Sequence, residues 1–211
     1  MKVKNLSKIE NLLFFTKESL RQLEKNDDSL NSNLKFWLKK EIIISLKKGV
    51  FILKKTWEKE PNKDLYLQYL ANKIYQPSYL SLEYVMDKYS LLTESVWGLS
   101  SITTKKTQTF NNKLAKFSYY SISSDLFCGY ESKKFNSANV LIAKKPTAVF
   151  DYLYLRFLKN APVSQTAIKE LRINWENISK IEFGKIQKYA RKSKSLRVKQ
   201  VINLIKENYY A

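Results

Sequence analysis

The chain of 211 residues has no histidine, one cysteine, four glycines and four prolines. Without histidine there is no ordinary zinc site and no histidine-based acid–base or triad chemistry. A single thiol, Cys128, excludes an internal disulfide, and with no base partner it reads as a half-buried structural cysteine. Scarce Gly and Pro together with a 44 % hydrophobic share exclude a disordered chain. No apolar run reaches the roughly 20 residues of a membrane helix. The N-terminal "MKVKNLSKIENLLFF" places basic residues before an apolar patch, but Glu10 and Asn11 interrupt it and no small-residue cleavage site follows. The expectation is a soluble, cytoplasmic protein without a membrane partner. Neither G-x-x-x-x-G-K-[ST] nor G-x-G-x-x-G occurs, so no nucleotide cofactor is expected, and no metal.

What is present is positive charge: 38 Lys and Arg against 19 Asp and Glu, net +19. An excess of that size favours a polyanion, nucleic acid first and an anionic membrane surface second. A generally lysine-rich composition, with Asn, Ile and Tyr also abundant, is the alternative. Residues 1–60 carry net +6, residues 61–155 net +4 and residues 156–211 net +9. The densest stretch, "KIQKYARKSKSLRVK", has seven basic residues and no acid. Its Lys185, Lys188, Lys192 and Lys199 fit one helical face, which is either a solvated face or a second polyanion-binding surface.

The pattern predicts an α+β protein. Leu6, Ile9, Leu12 and Leu13 repeat at helical spacing, and Thr16 can cap a second helix with Leu20 and Leu23 inward. After the polar turn "EKNDD", Asp28 or Ser29 can cap a third helix to about Lys40, with Leu30, Leu34, Trp37 and Leu38 as one apolar stripe. "IIISLKKGVFILKK" then reads as a hairpin turning at Gly49. Three helices and a two-stranded hairpin are the order of a winged helix-turn-helix, assigned to residues 1–57. The charged "EKEPNKD", residues 58–64, is the expected linker, crossed by few core contacts. Residues 65–211 form a mixed α/β domain with a helical C-terminal end. It comprises a helix over Leu65–Ile74, another capped by Ser81 and running through Tyr89, several strands within 96–143, and a nearly all-apolar helix opened by Pro146. The last segment places Val198, Val201, Ile202, Ile205 and Tyr209 on one face.

In a winged helix the third helix enters the major groove and the hairpin tip follows the flanking phosphates. Opposite the apolar stripe stand Ser32, Lys35, Phe36 and Lys39, with Ser29 at the N-terminal end and Asn31 and Asn33 beside them. Lys and Asn read guanine and adenine edges, Ser reads bases or phosphate, and Phe36 packs or touches a thymine methyl. Lys47 and Lys48 are the candidate phosphate contacts, a solvated turn being the plain alternative. A second polyanion surface would comprise Lys105, Lys106, Lys185, Lys188, Arg191, Lys192 and Lys199. No catalytic residue is assigned. Asp125, Glu131 and Lys133 faintly resemble a metal-dependent nuclease set, a spacing that arises easily by chance. Asp151, inside "TAVFDYLYL", needs hydrogen bonds or an ion pair if buried.

The segments "YQPSYLSLEYVMDKYSLL", "SITTKKTQTF", "DLFCGY" and "LIAKKPTAVFDYLYL", following the helix-turn-helix pattern, resemble the AbiEi-like antitoxin family of type IV abortive-infection systems, a phage defence. The similarity runs from about Phe15 to Leu155. Thr103, Thr104, Lys105, Lys106 and Thr107 match a Thr-plus-basic segment, Phe127, Gly129 and Tyr130 an aromatic-Gly-Tyr, and Pro146, Ala148 and Asp151 the central helix. Tyr89-Ser90-Leu91 departs from a common Tyr-Gly-Leu. The resemblance implies a transcriptional autorepressor that binds inverted repeats in double-stranded DNA upstream of its own operon. It also implies a second domain needed for antitoxin activity against a nucleotidyltransferase-like toxin, without a stable toxin complex. A winged-helix regulator lacking a toxin and a nuclease-like enzyme are the alternatives.

Overall fold

The computed structural model describes residue 6 and residues 9–158 and 161–210. Two apolar clusters organise it. The smaller gathers Leu20, Leu30, Leu34 and Trp37 with Phe15 and one face of a hairpin; the larger fills the rest of the chain.

A two-residue strand β1 (Phe15–Thr16) leads into α1 (Lys17–Arg21), capped as the sequence predicts. Ser19 N donates to Thr16 Oγ1 at 3.2 Å and Thr16 N donates to Ser19 Oγ at 2.8 Å, satisfying two helix-end donors. The next helix, α2 (Asp27–Lys39), is capped by Asn26, not by Asp28 or Ser29. Leu30, Leu34 and Trp37 are buried, whereas Leu38 lies outside the stripe and is exposed. The helix expected around Leu6–Leu13 is not continuous. Leu6 and Ile9 are in 3-10 conformation, residues 10 and 11 form a turn, residues 12–14 are not helical, and residues 7 and 8 lie outside the described residues. The chain extends there because β1 pairs with the hairpin, an override of local spacing by strand pairing.

The hairpin joins β2 (Ile43–Lys47) to β3 (Val50–Leu53) through Lys48 and Gly49, whose φ of +77° suits glycine. The three strands order as β1-β3-β2. Alternation sends Ile43, Phe51 and Leu53 into the small cluster and Ile44, Leu46 and Ile52 into the large one. Both faces of the hairpin are therefore covered. This corrects the expectation that few core contacts join the two halves. Residues 58–64 also form a capped corner: α3 (Lys54–Lys59) ends, Lys63 Nζ donates to the Trp57 carbonyl at 2.9 Å, and Asn62 caps α4 (Lys63–Ile74).

Six further strands form a mixed sheet in the order β6-β7-β5-β4-β9-β8. They are β4 (Ser78–Leu80), β5 (Leu99–Thr103), β6 (Gln108–Asn111), β7 (Lys116–Ser121), β8 (Tyr130–Phe135) and β9 (Ala138–Ala143). Helix α4 covers one face, where the Tyr119 hydroxyl donates to the Ala71 carbonyl at 2.6 Å. Helices α5 (Leu82–Lys88) and α6 (Lys145–Phe157) cover the other, reached by Ser100 and Tyr79. After the short α7 (Gln165–Lys169), α8 (Lys180–Lys192) and α9 (Leu196–Tyr209) pack on α6. The chain is thus α+β with a helical C-terminal end. Among the described residues no helix is long and apolar enough to cross a membrane.

Candidate nucleic-acid interface

On α2, the polar face opposite the small core is open. Asn31, Ser32, Lys35, Phe36 and Lys39 are exposed, and neither lysine makes an ion pair among the described residues. Ser29 and Asn33 are engaged locally instead. Ser29 Oγ donates to Glu24 at 3.4 Å, and Asn33 Nδ2 donates to the Ser29 carbonyl at 2.7 Å. The helix is held from behind by Arg21, whose guanidinium grips Asp27 at 3.0 and 2.9 Å and holds that carboxyl below its ordinary value. The free side chains of this face are amide, hydroxyl, ammonium and one aromatic ring, types that read base edges in a major groove.

The hairpin tip treats its two lysines differently. Lys48 is exposed. Lys47 leans on the second half of the molecule, with Nζ 5.6 Å from the Phe110 ring of β6. Phe110 packs on Tyr75 at 5.8 Å, and Lys105 Nζ lies 5.6 Å from the Tyr75 ring. Partial burial first, and the Lys105 charge second, push the Lys47 ammonium below its ordinary value. Asn112 Nδ2 donates to the Leu46 carbonyl at 3.0 Å, pinning the strand end. Tyr75 and Phe110 are the residues that sequence reasoning missed. Their signal, two aromatics at strand and helix ends, becomes meaningful only when the fold brings them together.

The residues grouped as a second polyanion surface lie in separate places. Lys105 and Lys106 are exposed in the loop between β5 and β6. Lys192 Nζ sits 3.7 Å from Cys128 Sγ, just before β8, the edge strand three places across the sheet from β5. Lys185 and Lys188 are exposed on α8. Lys199 does not share their helix, because α8 ends at Lys192 and Ser195 caps α9. It lines a groove of about 330 Å³ between α8 and α9 with Gln187, Arg191, Asn203 and Lys206, and no carboxylate lines that groove.

Phe127, Gly129 and Tyr130 are half-buried, and Pro146, Ala148 and Asp151 are buried. The Tyr79 ring stacks on Tyr130 at 4.8 Å and meets Phe127 at 4.9 Å. Gly129 stands at φ +80° where a Cβ would collide with Thr147 and Tyr189. Asp151 is fully buried: Oδ2 accepts from Ser81 Oγ at 2.7 Å and from the Tyr79 hydroxyl at 3.0 Å, while Oδ1 has no partner. Burial pushes its carboxyl up to about 7, against the pull of those two hydrogen bonds. Ser81, expected as the cap of α5, donates to Asp151 instead and makes no cap bond. Of the nuclease-like set, Glu131 pairs with Lys133 at 3.8 Å, and Asp125 is exposed on a 3-10 turn. Among the described residues no cluster of three or more His, Cys, Asp or Glu is placed to hold a metal ion.

No family model matches the chain, and no curated protein matches it at the search threshold.

Proposed function

We propose that this protein is a winged-helix autorepressor and antitoxin of the AbiEi-like kind. It binds inverted repeats in double-stranded DNA upstream of its own operon and counteracts a nucleotidyltransferase-like toxin in the cytoplasm without a stable complex. It acts without catalysis of its own. The observation that carries the DNA-binding part is the open face of α2. Asn31, Ser32, Lys35 and Lys39 are presented together beside a hairpin with an exposed lysine at its tip. The strand–helix–turn–helix–hairpin order and the net charge of +19 support the same reading. The antitoxin part rests on the family resemblance of the sequence, whose interior motifs gather around Tyr79 and Asp151.

Binding titrations on the upstream DNA and on scrambled duplex test the first part. Ser32→Ala and Lys39→Ala should each reduce discrimination between operator and mismatched sites by roughly 1–3 kcal/mol where the residue reads a base. Full discrimination in both folded variants would move recognition off α2. Co-expression with the product of the adjacent gene, scored for growth rescue, tests the second part.

A further inference from the structure

Strands β4 and β9 run side by side in parallel, yet among the described residues they pair at Leu80 and Ile142 alone. One residue earlier on β9, a side chain takes the place of further strand pairing. Asn72 Nδ2 of α4 donates to the Leu141 carbonyl at 3.2 Å, and Leu141 N donates to Asn72 Oδ1. The starts of the two strands are splayed. A cleft of about 580 Å³ opens there, between the end of α4, the chain entering β4 and the start of β9. Small-molecule sites usually measure roughly 300–1,000 Å³.

The polar groups around this cleft are unspent, Asn72 excepted. The Gln76 and Asn139 amides are exposed at its rim and make no hydrogen bond among the described residues. Tyr79 and Ser81 turn to Asp151 on one face of the sheet, so alternation sends Ser78 to the α4 face, where it lines the floor. Ser78 is buried and its hydroxyl finds no partner among the described residues. Lys73 Nζ lies 5.4 Å from the Tyr69 ring and has no carboxylate partner among the described residues. Pro77 and Leu141 add apolar wall, and none of the described residues lining the cleft is acidic.

A primary amide sets a donor beside an acceptor, the complement of a nucleobase edge, as Asn and Gln show on adenine. An ammonium free of carboxylates suits a phosphate, and a lining without acids does not suit a cation. We propose that this cleft binds a free mononucleotide. Gln76 and Asn139 take the base edge, Pro77 and Leu141 flank its ring, Ser78 gains a partner at the floor and Lys73 takes the phosphate. A recess of this size does not admit a duplex. The site is separate from the open face of α2, and the inference does not depend on what that face binds.

Calorimetric titration of the full chain with AMP, GMP, CMP and UMP tests it, with the nucleosides and inorganic phosphate as comparison ligands. At least one monophosphate should saturate at one per chain and bind more tightly than its nucleoside or inorganic phosphate. Lys73→Met, which keeps the apolar stem over Tyr69, should weaken that nucleotide about tenfold or more and preserve the order of preference among bases. Gln76→Ala/Asn139→Ala, at exposed positions, should level that preference instead. Absence of binding by all the monophosphates, or unchanged binding in both folded variants, would overturn the site. Inorganic phosphate binding as tightly as the nucleotides would reduce it to an anion contact and overturn the base assignment. Displacement of the bound nucleotide by duplex DNA would overturn a separate mononucleotide cleft.

Discussion

The N-terminal and C-terminal halves are both basic, but they differ in what they bury and in how many of their cations are paired. In the N-terminal half, charges are paired at the surface. Arg21 bridges Glu18 and Asp27, Lys54 bridges Glu41 and Glu58, and Lys55 meets Glu10. The C-terminal half also carries surface pairs, Lys88–Asp64, Lys145–Glu182 and Arg172–Glu94, but among the described residues the α8–α9 cations have no carboxylate partner, and one carboxyl, Asp151, is sealed within. One half is trimmed with ion pairs around a small core. The other has a core large enough to carry a buried acid. Surface pairs of this kind contribute little each, so the small core depends on the hairpin it shares with the large one.

The sharpest way to break this comparison is to cut the chain. A fragment of residues 62–211 loses Ile44, Leu46 and Ile52, three side chains buried in the large cluster. At about 1.5–3 kcal/mol each, roughly 4–9 kcal/mol of apolar burial disappears, comparable with the whole stability of a domain at about 5–15 kcal/mol. The fragment should unfold far below the full chain in a thermal melt followed by circular dichroism. A fragment melting cooperatively at the full-length temperature would show that the two halves stand alone.

Asp151 should also answer pH with the opposite sign to the surface carboxylates. Hydrogen bonds from Arg21, and from Lys113 and Lys54, hold Asp27 and Glu41 below their ordinary values. Their contribution is present at neutral pH and lost as the pH falls below about 4. Asp151 behaves in reverse. Its folded value of about 7 lies above the ordinary 3.8, so its contribution is complete in acid and is lost as the pH rises through 7. The difference amounts to a few kcal/mol. Hydrogen exchange should therefore show α6 loosening between pH 4 and 7 while α1 and α2 hold. Asp151→Asn should flatten the α6 response; an unchanged pH profile in that variant would remove Asp151 as its source.

A smaller effect is expected at Ser90, which ends α5 at φ +53°, in the left-handed region that glycine enters freely. Ser90→Gly should stabilise the chain by up to about 1 kcal/mol, read as a rise in denaturation midpoint at constant slope. A lower midpoint would mean that the serine side chain is used there.

Much of the fold is legible in the sequence where the signal is local. Thr16 as a cap, the buried face of α2, Gly49 in the turn, Pro146 opening α6 and the inward Val198, Val201, Ile202 and Ile205 all follow from spacing and cap chemistry. The local signal misleads where a distant partner decides. Residues around Leu12 and Leu13 repeat as a helix, yet the chain straightens toward the pairing of Phe15 with Phe51. β4, only three residues long, exists because β5 and β9 flank it. Ser81 gives up its cap to a carboxyl 70 residues away. The site divides in the same manner. The α2 face can be read from periodicity, while the meeting of Lys47 with Lys105 depends on rings in two separate elements.

The two-sided hairpin bears on how such a protein can change its target over generations. A reading head that owned its whole core could be exchanged between relatives as a cassette. Here a crossover after Leu53 sets a foreign hairpin face against the large cluster, and a crossover before Ile43 imports foreign helices against Phe51 and Leu53. Recombination at either point inherits a mismatched seam. On the proposed DNA-binding reading, new specificity is reached more readily by single substitutions on the open face of α2, where Asn31, Ser32, Lys35 and Lys39 are exposed.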